Sequence, residues 1–359
     1  MDKINEIRRL WRERFNDSRN WMTNVFPRIY HDDEALVIPD EKGSGIISML
    51  LLRRYEMLYR QRVIPTGYIY GAATARGQQG KGYMSQLIHD ALREAARRGD
   101  IIVTLQPARR RLYGFYDRFG FSTTFYIREE RYTSKHRFLH DESQYIIEYS
   151  GHDPAELASA YSRLTSARES TMLHSEDDFK TILIDSELDE GCLVTARSVD
   201  SGDIVSMAIA VASPDSVAVR EIAAVDDDAE AAVLDALSRR YPDRMTVVEA
   251  YPGKASPVRI FSRGMARIVN VKAFLEQAAA LAPGMTQNIR VKDPIIPENN
   301  AIFIIDKGEV TTAPYDEEEI TVNLDVDIPV LTAIAFSTSR TGEIFSLPTA
   351  RPFMSMMLS

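Results

Sequence analysis

YIYGAATARGQQGKGYMSQLI, residues 68–88, joins an apolar strand to a glycine-rich corner and the start of an amphipathic helix. The predicted helix runs over 82–98, and its apolar residues recur at i, i+3 and i+4, so they share one face. Gly80 and Gly82 stand at its entrance. Glycine there lets an anion approach the unpaired N–H groups and the positive end of the helix dipole. A plain tight turn uses the same residues, so the corner alone leaves both interpretations open.

The segments around this corner alternate between strand and helix patterns. Strands are predicted over 35–39, 45–55, 63–74, 101–105 and 121–130, and helices over 3–16, 82–98 and 110–119. Strand, glycine loop, helix and strand in that order indicate an α/β unit.

A similar order returns after about residue 145, with a strand-to-helix corner EIAAVDDDAEAAVLDALS at 221–238. Three aspartates stand there in place of the glycines, which does not suit an anion. We interpret this as an internal structural repeat whose second copy lacks the anion site.

The chain of 359 residues is too long for one ordinary core and predicts several domains. We expect units over 1–144, 145–255 and 256–359, with YPGKASP (251–257) as a linker. In the last unit a strand and helix over 266–281 precede predicted strands such as NAIFIIDKGEV (300–310) and EITVNLDVDIPVLTAIAF (319–336). The predicted fold class is α/β (α+β), with two tandem units and a smaller C-terminal α+β domain.

Composition excludes several classes of protein. The net charge of −9 argues against general binding to nucleic acid or anionic membranes. The longest apolar run, GIISMLLL at 45–52, is too short to span a bilayer, and the charged first 15 residues do not resemble a secretory signal. The single cysteine excludes an internal disulfide, and the histidines lack metal-ligand spacing, so no metal is predicted. A cytoplasmic protein is expected.

The segment GQQGKGYM, residues 77–84, resembles the pyrophosphate-binding segment of the GNAT acetyltransferases, whose pattern is Gln/Arg-x-x-Gly-x-Gly/Ala. Gln79 and Gly82 take the first two positions, and Met84 replaces the small third residue. The resemblance implies acetyl-CoA as co-substrate, with the oxyanion held by backbone amides of the preceding strand. The implied binding residues are Ala72, Ala73, Thr74, Gln79, Gly80, Lys81, Gly82, Tyr83 and Met84.

A second segment, RLYGFYDRFGF at 111–121, resembles the "FY…GF" helix of the same family. It implies that Tyr116 lies near the thioester sulfur and acts as the general acid that protonates the departing thiolate. The alternative is a core aromatic residue, and Tyr113 is interpreted as packing only.

The order of units along the whole chain is similar to that of the Eis-type (enhanced intracellular survival) acetyltransferases. These have an active GNAT unit, a degenerate second one and a C-terminal domain resembling a sterol carrier protein. In the last unit the resemblance rests on MARIVNVKAFLEQA (265–278), VKDPIIPENNAIFIID (291–306) and RPFMSMMLS (351–359). It implies a homohexamer, and it implies that the α-carboxylate of Ser359 returns to the active site as a base. A frayed chain end is the alternative.

The expected reaction is therefore acetyl transfer from acetyl-CoA to a primary amine by direct attack in a ternary complex. The resemblance implies polyamine, aminoglycoside or lysine-type acceptors. Candidate wall residues are Trp21, Phe26, Tyr30, Asp32, Asp33 and Glu34. The acidic ones would equally suit a solvated loop. The rival function is a lipid- or small-ligand-binding protein with a vestigial GNAT unit.

Overall fold

The computed structural model describes residues 2–43, 45–60, 62–188, 190–253, 259–336 and 351–356. In these ranges the helices are α1 Lys3–Arg14, α2 Arg19–Asn24, α3 Phe26–Ile29, α4 Tyr83–Arg97, α5 Tyr113–Asp117, α6 Pro154–Thr165, α7 Glu176–Leu188, α8 Asp227–Arg240, α9 Val271–Leu281 and α10 Ile328–Ala335. Short 3-10 turns cover Asp32–Glu34, Arg110–Leu112, Glu142–Gln144 and Pro297–Asn299. None of these helices is both long and apolar enough to span a membrane.

The strands form two sheets. They are β1 Ala35–Pro39, β2 Ile46–Tyr59, β3 Arg62–Thr74, β4 Ile102–Leu105, β5 Ser122–Tyr132, β6 Tyr145–Glu148, β7 Ser170–Met172, β8 Gly191–Ser198, β9 Ile204–Ala212, β10 Ser216–Ala224, β11 Met245–Ala250, β12 Arg259–Ile268, β13 Gln287–Lys292, β14 Ala301–Asp306, β15 Glu309–Pro314, β16 Leu324–Asp327 and β17 Pro352–Phe353.

The larger sheet runs in the order β17-β7-β2-β3-β4-β12-β5-β11-β10-β9-β8-β6, with β1 paired to β2. It therefore crosses both predicted boundaries, at residues 144 and 255. β12 follows the second boundary along the chain but lies between β4 and β5. The large sheet is therefore continuous across the three predicted units. Their division into separate domains stays a prediction.

The predicted repeat is visible in the sheet. β3 and β4 are parallel neighbours joined by α4, and β10 and β11 are parallel neighbours joined by α8. The apolar stripe of α4 is buried, which explains why the helix forms on the sheet: Leu87, Ile88, Ala91, Leu92 and Ala95. Two strand–helix–strand crossovers of the same kind thus support the two halves of one sheet.

The C-terminal unit has the sheet order β15-β14-β13-β16, covered by α9 and α10. The prediction of a strand over residues 328–335 is wrong, because IPVLTAIA forms α10. Pro329 fits the first helical turn, where a missing N–H is no loss, and Leu331, Ile334 and Ala335 are buried. A short apolar run carries no period that separates a buried strand from a buried helix.

A buried ion pair connects the C-terminal unit to the first one. Arg267 on β12 and Asp293 after β13 are both fully buried, and Arg267 Nη2 lies 2.6 Å from Asp293 Oδ1. Arg267 Nε also donates to the carbonyl of Phe119, the second residue after α5, at 2.7 Å. Asp293 accepts further hydrogen bonds from the backbone N–H groups of Ile295 and Ile296. Burial lowers the pKa of Arg267 and the Asp293 carboxylate opposes this, so the charge depends on its partner.

We predict that Asp293→Asn lowers stability by about 3–5 kcal/mol, because it leaves a buried guanidinium without a counter-charge. Urea unfolding followed by intrinsic fluorescence measures the change. Asp325→Asn is the matched control, because Asp325 pairs with Arg290 in an exposed position of the same unit, where such a pair contributes at most about 1 kcal/mol. Equal destabilisation by the two substitutions would contradict the role given to the buried pair.

Candidate active site

The backbone of the glycine corner adopts positive φ angles, which favour glycine. Gly77, Gly80 and Gly82 have φ of +74°, +78° and +88°, in the left-handed region. A Cβ built on any of the three would meet no atom within 4 Å. The space above the corner is therefore open, and the backbone conformation rather than close packing demands glycine.

Helix α4 begins at this corner without a side-chain cap. Gly82 occupies the N-cap position and offers no side-chain acceptor to the first N–H groups of the helix. The exposed Lys81 donates to Gln78 Oε1 at 2.8 Å and brings a positive charge nearby. In the second half, by contrast, Asp226 Oδ1 accepts from Ala229 N at 2.8 Å and caps α8. Only the first of these two corners thus has the electrostatics of an anion site.

Next to the corner, strands β3 and β4 separate. Their parallel pairing runs from Thr66↔Ile102 to Ile69↔Leu105. β4 ends at Leu105, whereas β3 continues to Thr74. In the described part of the chain, residues 70–74 therefore have no ladder partner on the β4 side. Such a splay exposes backbone N–H groups to a ligand.

The predicted oxyanion residues lie in this splayed segment. The register of β3 against β2 shifts there: Leu51 faces Tyr70 and Met49 faces Ala73, which leaves Gly71 and Ala72 opposite Leu50. Gly71 has φ of +60°, and a Cβ on it would lie 2.3 Å from the Trp11 ring. The bulge is thus held in place by the N-terminal helix α1. Beyond it, Ser48 Oγ contacts both the Ala73 carbonyl and Thr74 Oγ1, at 3.1 and 2.9 Å.

Tyr116 lies on α5, beside the helix α4 that begins at the corner. Its side chain is 8% exposed and packs against the rings of Phe115 and Phe121. Burial raises its pKa to about 12, so the phenol is protonated at neutral pH. Tyr116 is also close enough to Tyr68 on β3 to affect its pKa electrostatically. The structure therefore brings the predicted acid to the strand that carries the splay.

A cavity of about 280 Å³ lies at the carboxyl end of β4 and is called the central cavity below. Residues from both halves of the large sheet, from β12 and from the C-terminal segment line it. Its polar and flexible wall residues include Gln106, Asp185, Arg220, Glu221, Arg263 and Met354. A concave site between units, with a few convergent polar groups, is typical of ligand binding.

The C-terminal segment reaches this cavity through β17. Pro352 and Phe353 pair in parallel with β7, and the next residue, Met354, covers β12 at Gly264. A Cβ on Gly264 would lie 2.8 Å from Met354 Cε and 3.0 Å from the Leu105 carbonyl oxygen. Arg168 lies over the Phe353 ring at 4.7 Å and bonds to Glu221 at 2.9 Å. The segment is therefore anchored next to the end of β4.

The predicted acceptor wall stays a prediction, and its residues lie in different surroundings. Trp21 donates from Nε1 to Asp185 Oδ1 at 2.6 Å, and Asp185 lines the central cavity, so Trp21 lies directly behind the wall. Phe26 is fully buried and stacks on Tyr30, so its side chain supports the core instead of the wall. The central cavity takes its acidic residues from helix α7, which carries Asp185, and from strand β10, which carries Glu221.

The acidic residues after α3 are already paired. Tyr30 OH donates to Asp32 Oδ1 at 2.7 Å. Asp33 lies 2.6 Å from Arg54, and the buried Glu34 lies 2.8 Å from Arg53 Nε. Glu34 lines a second cavity of about 460 Å³. Its carboxylate is neutralised by Arg53. Binding of a polycation by these acidic residues stays a prediction, and their existing pairing does not support it.

Two other predictions concern the chain end and metals. Ser359 lies outside the described residues. Among the described residues, His140, Glu142 and Asp235 place possible ligand atoms within 4.8 Å of one another. Arg239 forms ion pairs with both Glu142 and Asp235, so these carboxylates are balanced by a guanidinium.

Residues 1–124 match the family model described as an acetyltransferase (GNAT) domain. This range contains the glycine corner, the splayed strands and Tyr116. The match to this domain therefore covers the first part of the chain. No curated protein sequence matches the chain.

Several solved structures share the fold over the whole chain. A probable N-acyltransferase from Enterococcus faecalis has a TM-score of 0.80 at 15% identity, covering 99% of this chain and 97% of its own. A GCN5-related N-acetyltransferase from Anabaena variabilis has 0.79 at 16% identity, with 99% and 97% covered. Eis1 from Mycobacterium abscessus has 0.74 at 15% identity, with 99% and 97% covered. The chain thus has the mixed α/β fold of the GNAT acetyltransferases.

We predict that Gly82→Asp weakens acetyl-CoA binding at least tenfold, because it places a negative charge at the uncapped start of α4. Isothermal titration calorimetry measures the affinity. Gly202→Asp is the matched control, since Gly202 also has a positive φ, +75°, in open space but lies in a turn of the second half. Unchanged affinity in Gly82→Asp would remove the corner from the binding site.

Proposed function

We propose that the protein is an acetyl-CoA-dependent N-acetyltransferase that moves an acetyl group to a primary amine by direct attack in a ternary complex. One observation carries the proposal: the uncapped N-terminus of α4 opens beside the splay of β3 and β4, with Tyr116 buried near the same strand. The helix N-terminus suits a pyrophosphate, the splay suits a thioester carbonyl, and the tyrosine suits a leaving sulfur.

The residues at the corner fit acetyl-CoA. Gln79 to Met84 would hold the pyrophosphate through backbone N–H groups, helped by the charge of Lys81. The open space above the glycines leaves room for it. Ala72, Ala73 and Thr74 would direct backbone amides to the carbonyl oxygen. Acetyl-CoA supplies an activated thioester, so no covalent acetyl-enzyme is required.

Tyr116 is the proposed general acid. Its phenol is neutral and partly withdrawn from water, so it can donate a hydrogen bond to the sulfur as negative charge develops there. The attacking nitrogen becomes cationic and must lose a proton, while the sulfur gains one. Tyr116 would thus stabilise the thiolate by a hydrogen bond until the sulfur is protonated. The proton lost by the amine balances the proton gained by the sulfur.

The α-carboxylate of Ser359 is the proposed base, by resemblance to the Eis-type enzymes. With an ordinary pKa near 3.5 it is too weak to take a proton directly from an ammonium ion, so it would act through water. The anchoring of Phe353 and Met354 beside the central cavity supports this proposal.

The finer assignments rest on the same resemblance. The similarity to Eis1 over 99% of the chain supports an Eis-like enzyme with a sterol-carrier-like C-terminal domain. We infer a homohexamer from that assignment and a cytoplasmic location from the composition. The rival function of lipid binding receives less support, because Phe274, Phe303 and Phe336 fill the interior of the C-terminal unit.

We predict that Tyr116→Phe lowers kcat about a hundredfold and leaves the KM for acetyl-CoA nearly unchanged, because only the developing thiolate loses a partner. Thiol release from acetyl-CoA with a panel of amines measures both. Tyr113→Phe, on the same helix, should behave like the wild type. A similar loss in both variants would indicate a packing role instead.

The same assay tests the protonation state of Tyr116. Because burial raises its pKa to about 12, the acid stays protonated throughout the accessible range. The wild-type kcat/KM should therefore rise with pH as the acceptor amine deprotonates, and it should not fall between roughly pH 7 and pH 10. An alkaline fall that disappears in Tyr116→Phe would contradict the assignment.

We predict that deleting Leu358 and Ser359 lowers kcat at least tenfold, because the terminal carboxylate moves by up to about 7 Å of extended chain. Ser359→Ala is the matched control, since it keeps the α-carboxylate in place. Unchanged turnover after the deletion would eliminate the terminal base and leave the rest of the proposal intact.

A further inference from the structure

The central cavity contains two guanidinium groups in addition to its carboxylates. Arg220 and Arg263 come from strands on either side of β5 and β11, and both line the cavity. Arg263 also acts electrostatically on Tyr68: burial raises the pKa of that phenol, and Arg263 opposes the rise. One arginine thus lies near the strand that carries the splay.

Each of these arginines occupies a β-bulge. On β12, Ser262 faces Tyr126 and Gly264 faces Phe125, which leaves Arg263 as the extra residue. On β10 the pairing with β9 shifts between Val219 and Glu221, which leaves Arg220 as the extra residue. Bulges re-aim side chains and are frequent beside active sites. Two separate irregularities thus direct positive charge to one cavity.

One carboxylate does not neutralise the two arginines. Glu249 on β11 lies 2.8 Å from Arg220 and 3.1 Å from Arg263, and its own side chain is only 11% exposed. Glu249 therefore holds both guanidinium groups in position and cancels one charge. A net positive charge remains, and the Arg220 side chain is 49% exposed.

The cavity is also lined by carboxylates. Asp185 accepts from Trp21 Nε1, which orients its carboxylate. Glu221 is buried and paired with Arg168 at 2.9 Å, so its charge is already balanced. The cavity is therefore lined by both carboxylates and guanidinium groups.

From this arrangement we infer that the acceptor is an amine that also carries a carboxylate, as an amino acid does. The inference rests on the proposed function and specifies its substrate class. A guanidinium fork binds a carboxylate through two parallel hydrogen bonds, so Arg263 and Arg220 would fix the anionic end. Asp185 would face the ammonium group. A polycation without an anionic group would instead meet uncompensated positive charge at the arginines.

Two pairs of amines that differ only in a carboxylate test the inference: lysine against cadaverine, and ornithine against putrescine. The readouts are kcat/KM for thiol release and calorimetric affinity for the CoA-loaded protein. We expect the wild type to prefer the carboxylate-bearing member of at least one pair by roughly tenfold or more. Arg263→Gln and Arg220→Gln should each reduce that preference, mainly by lowering kcat/KM and affinity for the amino acid.

Arg259→Gln is the matched control, because Arg259 is exposed on the same strand as Arg263 but does not line the central cavity. It should keep the wild-type preference. The inference would be overturned if the wild type used the diamines equally well or better. It would also be overturned if Arg263→Gln lowered kcat/KM equally for the amino acid and the diamine. Either result would leave the proposed acetyltransferase activity intact. Selective binding of the amino acids without any thiol release would count against the proposed function alone. If the protein bound neither the amino acids nor the diamines, the inference would also be overturned.

Discussion

The buried ion pair between Arg267 and Asp293 is the constraint on which the candidate site depends. It joins the C-terminal unit to the carbonyl of Phe119, three residues after Tyr116. Neither charge has access to water, so each requires the other. The end of the helix that carries Tyr116 is thereby held by a residue about 150 positions later in the chain. The chemistry assigned to the first 124 residues therefore depends on structure contributed by the last hundred.

The same dependence recurs around the central cavity. The first 124 residues supply Gln106 after β4, helix α7 supplies Asp185, β10 supplies Arg220 and Glu221, and β12 supplies Arg263. The degenerate second unit thus has a physical role. Its corner is capped by Asp226 and does not suit an anion, but its helix α7 and strand β10 contribute charged residues to the central cavity. A protein cut to the first 124 residues would lose most of the lining of the central cavity.

Much of the fold could be predicted from local sequence patterns. The stripe of α4 and the glycines before it are encoded within 20 residues, and the structure has both where they were expected. Residues 328–335 were predicted wrongly because an apolar octet has no distinguishing period. The cavity wall could not be predicted, because it depends on bulges that place Arg220 and Arg263 and on tertiary contacts of Asp185. The one available signal was a charged pair, Arg220 and Glu221, within an otherwise apolar strand.

The central claim is that the protein transfers acetyl groups from acetyl-CoA to amines. The most direct measurement is the mass balance of a reaction with the wild-type protein, in which free CoA and acetylated amine are both quantified by mass spectrometry. We expect the two products to form in equal amounts and neither to form without the amine. CoA release that proceeds equally well without an amine, or that yields no acetylated product, would contradict it.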